Sequence, residues 1–262
     1  MKNKRGQLTL FIILGIIIVV TALLIFLFRP KMIATSTFNT ENPSAFIHSC
    51  LEEKIDSTLN QIYLNGGVLN AEHVYEYKNE ELTYLCYTNK YYEPCVVENP
   101  LLEYIVLRDL ESEIKETVEF CFDELNSNYE NKGYTTNLVK GNTEIKLLLD
   151  KLEFSFPNYE LTVTKQDTNT YEDFQFSKKS DLFKILQITD EIILDEIKQG
   201  DTDVLKYMNS FSELKVEKKK QEDTTTVYII TNRDTQNKFQ FAVRSDSPST
   251  DPTIRRWIKK YY

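Results

Sequence analysis

The chain has 262 residues and a formal net charge of −9, and its 41% hydrophobic and 27% charged residues make an ordinary globular composition. With 31 Lys and Arg against 40 Asp and Glu there is no dense basic surface, which argues against a nucleic-acid partner. The seven glycines form neither a phosphate-cradling loop nor a dinucleotide fingerprint, and no Asn-x-Ser/Thr acceptor with an allowed middle residue occurs.

From Leu8 to Phe28 no residue is charged, and Phe11 to Val20 is almost purely aliphatic. About 21 residues at ~1.5 Å rise cross ~30 Å of hydrocarbon, so this run predicts a single transmembrane helix with the lipid bilayer as its partner. Lys2, Lys4 and Arg5 precede it and Arg29 and Lys31 follow it. The balance favours a cytoplasmic flank at 1–7 and a body on the outer side of a cell membrane. A Sec-type signal peptide fits less well, because the apolar region is long and no small-x-small site follows promptly.

The segment Lys4-Arg5-Gly6-Gln7, running straight into that apolar stretch, resembles the class III (type IV pilin-like) signal sequence of archaea. The resemblance spans roughly the first 28 residues, out to Phe28. It implies cleavage after Gly6, leaving Gln7 as the first mature residue. The sequence differs from assembling pilins at Phe11, where those carry glutamate, and at Arg29-Pro30, which breaks the helix.

Residues 29–42 read as a Ser/Thr/Asn-rich linker. After Pro43 a helical period begins: Phe46, Ile47, Cys50, Leu51, Ile55, Leu59, Ile62 and Tyr63 share one face, and Asn65-Gly66-Gly67 stops it. A Tyr-rich stretch between Val68 and Asn99 predicts short strands. After Pro100, the apolar stripe from Leu101 through Leu110, Val118 and Cys121 to Leu125 predicts a second helix, antiparallel to the first. From Tyr134 the period changes to two. Ile145-Leu147-Leu149, Leu152-Phe154-Phe156, Leu161-Val163 and Phe174-Phe176 predict an antiparallel meander turning at Gly141-Asn142 and Pro157-Asn158. Asp181 to Lys198 is helical again. Strands around Leu214-Val216, Val227-Ile229 and Phe239-Val243 follow, with a charged turn expected from Lys218 to Asp223. The expected fold class is therefore α+β: a helical-hairpin subdomain over 43–132 carrying a small strand insertion, then an α+β subdomain over 133–262.

The four cysteines lie beyond the apolar run, and an even count in an oxidising compartment predicts disulfides. Antiparallel packing brings Cys50, early in the first helix, beside Cys121, late in the second, and leaves Cys86 to pair with Cys95. A zinc site is the competing reading, but the cysteine spacing is far wider than the usual Cys-x₂₋₄-Cys. His48 and His73 sit in no ligand or triad pattern, and pairs such as Asp109 with Glu111 or Asp190 with Glu191 read as solvated faces in so acidic a chain. No catalytic, cofactor-binding or metal-binding residue is assigned, and no enzymatic role is expected. Two features suit a partner: the tyrosines from Tyr75 to Tyr92, and the basic, aromatic stretch Ile254-Arg255-Arg256-Trp257-Ile258-Lys259-Lys260. The simpler reading has the tyrosines pack an open strand pair onto the helices and a C-terminal helix dock through Ile254, Trp257 and Ile258. The expected role is structural or partner-binding at a cell surface, with a pilus-like subunit and an ectoenzyme as alternatives.

Overall fold

A computed structural model of the chain describes Gly15, residues 42–90 and residues 93–245. The expected span from Leu8 to Phe28 (Gly15 apart), the Gly6-Gln7 junction, most of the linker and the basic stretch after Ser245 lie outside these residues. No helix among the described residues is long and apolar enough to cross a membrane. The chain divides into two units, 1–38 and 39–262, and the elements below belong to the second.

Helix α1 (Pro43–Leu64) starts where Asn42 accepts a hydrogen bond from the Ala45 amide at 3.0 Å, with Pro43 supplying a pre-set φ in the first turn. Its buried stripe includes Phe46, Ile47, Leu51, Ile55, Leu59, Ile62 and Tyr63. It ends at Gly66 and Gly67, both at positive φ; a Cβ on Gly66 would stand 2.9 Å from the Gln240 carbonyl oxygen, so close approach as well as conformation requires glycine there. Helix α2 (Leu102–Asn131) runs a turn and a half beyond the expected end near Leu125, because Tyr129 continues the buried stripe. The two helices are antiparallel. The Lys54 ammonium meets Glu113 at 3.1 Å, and the Cα atoms of Cys50 and Cys121 lie 5.9 Å apart.

Between the helices lie β1 (Val74–Tyr77), β2 (Glu80–Tyr87) and the short β3 (Val96–Val97). After α2 come β4 (Thr135–Val139), β5 (Glu144–Leu147), β6 (Lys151–Ser155), β7 (Glu160–Thr164), β8 (Thr168–Tyr171) and β9 (Gln175–Lys179). These six are not one meander. They interleave into two antiparallel sheets, β4-β7-β8 and β5-β6-β9. Gly141 makes this possible: a Cβ there would lie 2.1 Å from the Pro157 carbonyl oxygen, so the two expected turns dock backbone against backbone. Both sheets pack on the helix pair. Phe122 of α2 meets Phe156, Tyr159 and Phe174, and Lys178 of β9 pairs with Asp56 of α1 at 2.7 Å.

Helix α3 (Leu182–Gln199) closes on Gly200 in the left-handed conformation, and a short α4 (Leu205–Ser210) precedes β10 (Leu214–Lys220), β11 (Thr225–Asn232) and β12 (Lys238–Arg244). The expected charged turn begins later than Lys218: Lys218, Lys219 and Lys220 belong to β10, which stands at the sheet edge where lysines are tolerated, and the reversal falls at Gln221 to Thr224. The main sheet has the order β1-β2-β12-β11-β10, with β3 also on β2, and it is mixed because β2 runs parallel to β12. It crosses the boundary expected at residue 133, because β2, buried over most of its length, finds its inner neighbour in β12. Alternation gives the sheet two faces. Thr226, Tyr228, Ile230, Phe239 and Phe241 meet the helices, Tyr63 of α1 against Phe239 and Glu196 of α3 against Tyr228. Leu82, Tyr84, Val227, Ile229 and Ala242 cluster on the other face.

Candidate functional site: a polar cleft

A cleft of about 510 Å³ opens beside the second half of α1, where it meets the β5–β6 turn, the β9–α3 junction and the β11–β12 turn. That is the volume of a small-ligand site. Its floor is a three-residue arrangement. Asp181, at the start of α3, accepts a 2.6 Å hydrogen bond from the Tyr63 hydroxyl on one carboxylate oxygen and another at 2.6 Å from the Asn232 side-chain amide on the other. Asn232 is itself fixed, its carbonyl oxygen accepting the Asp234 and Thr235 amides as β11 turns toward β12. Burial, with the Asp181 charge adding to it, raises the Tyr63 hydroxyl well above the usual tyrosine range, so Tyr63 remains a donor.

The walls carry both signs of charge. Lys184 pairs with Glu213 at 2.6 Å and Lys178 with Asp56 at 2.7 Å. Asp150, Asp234 and Lys179 also line the opening, with no ion pair among the described residues. The cleft therefore holds its own lysines largely neutralised and offers carboxylate and amide acceptors, chemistry suited to hydroxyl or ammonium donors of a polar partner.

All four cysteines are bonded, Cys50 to Cys121 and Cys86 to Cys95, so no thiolate is left to hold zinc. His48 stacks on Phe176 at 4.5 Å. His73 reaches Glu98 at 3.2 Å on an exposed edge. Asp109 accepts from Arg108 and from the Leu69 amide, which ties the chain after α1 to α2. Burial, then the neighbouring Glu103 charge, raises the Asp190 carboxyl. None of these residues belongs to the cleft. Sequence reading missed its floor because Tyr63, Asp181 and Asn232 stand far apart in the chain; the one local signal is the Asn-Arg-Asp-Thr turn beginning at Asn232.

No protein family, curated protein sequence or solved structure matches the chain.

Proposed function

We propose that this chain is a membrane-tethered, extracytoplasmic binding domain, held by the apolar run from Leu8 to Phe28 and presenting its cleft to a polar partner at the cell surface. The observation that carries the reading is the pair of disulfides, Cys50–Cys121 and Cys86–Cys95, in a domain that follows an uncharged run of membrane-spanning length. Disulfides persist outside the reducing cytosol, which supports the side that the charge flanks favour. The proposed role is binding, supported by a cleft floor in which one carboxylate is held by two neutral donors. Protease added to intact cells tests it. The domain after Lys31 is expected to be degraded while the span is spared; degradation only after lysis reverses the orientation.

A second reading has a specific observation of its own, the Lys4-Arg5-Gly6-Gln7 segment. A subunit of a type IV pilus-like assembly would begin at Gln7. Mass spectrometry of the mature N-terminus separates the two readings, since an intact Met1 or simple methionine loss removes prepilin processing.

A further inference from the structure

The face of the main sheet opposite α1 and α3 is apolar. Leu82, Val227 and Ala242 are fully buried in it, Ile229 is 9% exposed, and Tyr75, Tyr77 and Tyr87 pack half-buried against them. The tyrosines form a continuous aromatic surface: Tyr75 lies 5.9 Å from Tyr84, and Tyr84 lies 5.0 Å from Tyr87 between ring centroids. The helix contacts with this sheet described above are all on the other side. Acidic groups flank the aromatic face. Glu80 accepts from Gln240 at 2.7 Å, Glu98 reaches His73 beside Tyr87, and the Asp223 charge acts on Tyr75.

We propose that the stretch of this chain following Ser245 docks across this face, with Ile254, Trp257 and Ile258 against the tyrosines and its cations toward the acidic rim. Three observations single out this occupant. The central strand β12 delivers the chain there: Arg244, its last residue, lies over the Tyr87 ring at 5.8 Å. The length suffices, because seventeen residues follow Ser245, up to ~56 Å of extended chain against a five-strand sheet roughly 19 Å wide. The charge is complementary, since Arg255, Arg256, Lys259 and Lys260 accompany the apolar residues and the rim offers Glu80, Glu98 and Asp223. Tyrosine rings suit such a contact, combining apolar area with cation–π attraction for arginine.

Trp257 is the only tryptophan in the chain, so its fluorescence reports on this segment alone. The test compares the full-length protein in detergent with an Ile254→Glu/Ile258→Glu variant, with far-UV circular dichroism and the urea midpoint of each measured to establish that the domain is folded. In each, acrylamide quenching of Trp257 and hydroxyl-radical footprinting of Tyr75, Tyr77 and Tyr87 are measured. The expected result is a shielded Trp257 and protected tyrosines in the unaltered protein, with both protections lost together in the variant. A freely quenched Trp257 in the unaltered protein overturns the proposal. So does a tyrosine footprint that the variant leaves unchanged, the outcome for a segment bound to lipid instead. Protection that disappears on dilution also overturns it, assigning the face to a second copy.

Discussion

The hydroxyl of Tyr228 donates a hydrogen bond to the carboxyl of Glu196 in the core between α3 and the main sheet, where Glu196 is only 3% exposed. Burial raises the Glu196 carboxyl above the usual range, and the bond from Tyr228 only partly offsets it. Because its folded value is raised, the stability this group contributes is complete below the ordinary carboxylate range and is lost as the pH rises through the folded value. Glu196→Gln is therefore expected to match or exceed the parent in urea midpoint at neutral pH, and the difference should close near pH ~4. A difference that widens on acidification contradicts this assignment. Tyr228→Phe, which leaves the carboxyl buried without its donor, should cost about 1–3 kcal/mol.

The disulfides differ in the loops they close. Cys50 and Cys121 are 71 positions apart and Cys86 and Cys95 only 9. Chain entropy assigns roughly 4 kcal/mol to the first loop and about 2.5 kcal/mol to the second. Replacing Cys50 and Cys121 together by serine should lower the denaturation midpoint more than the same change at Cys86 and Cys95. Non-reducing peptide mapping of protein from its native compartment should recover the two pairs and no free thiol.

The cleft floor should behave as one unit. Tyr63→Phe removes one donor to Asp181 and Asn232→Ala removes the other along with the turn it fixes, each at about 1 kcal/mol or somewhat more. In a double-mutant cycle the two effects should fail to add by at least ~0.5 kcal/mol, since both act on the same carboxylate. Strict additivity means that Asp181 does not couple them.

Gly141 tests the interleaving of the two small sheets. A methyl there meets the Pro157 carbonyl at 2.1 Å and the Asn158 carbonyl carbon at 2.5 Å, and both are backbone atoms that cannot rotate aside. Gly141→Ala should cost at least the ~1–3 kcal/mol typical of overpacking, seen as a lowered Tm, whereas alanine at Gly133 meets only the end of the Lys165 side chain and should cost just the roughly 1–2 kcal/mol of its left-handed backbone.

What the sequence discloses follows from the range of the interactions. The helices carrying Cys50 and Cys121 repeat their apolar residues over many turns, so their burial faces, direction and bridge can all be read locally. The β5, β6, β7 and β9 strands show alternation, but which strand takes which neighbour depends on Gly141 meeting Pro157, a contact that no local period encodes. Lys218 to Lys220 look like a turn because charge usually marks one. At a sheet edge, Leu214 and Val216 supply enough buried surface to hold a strand with a charged tail. Tyr63, Asp181 and Asn232 come together only once α1, α3 and β11 are in place, so the cleft floor is a property of the tertiary structure alone.

The parallel pairing of β2 with β12 joins Tyr84 to Ala242, residues about 160 positions apart. During synthesis, in which the chain emerges N-terminus first, β2 waits beside its β1 and β3 partners with its inner edge unsatisfied until almost the whole domain has appeared. The helical hairpin needs no such delay and can be cross-linked early. The domain thus has a built-in order of maturation, in which the last strand to arrive completes the sheet, and a nascent chain arrested before Lys238 would expose an aggregation-prone β2 edge.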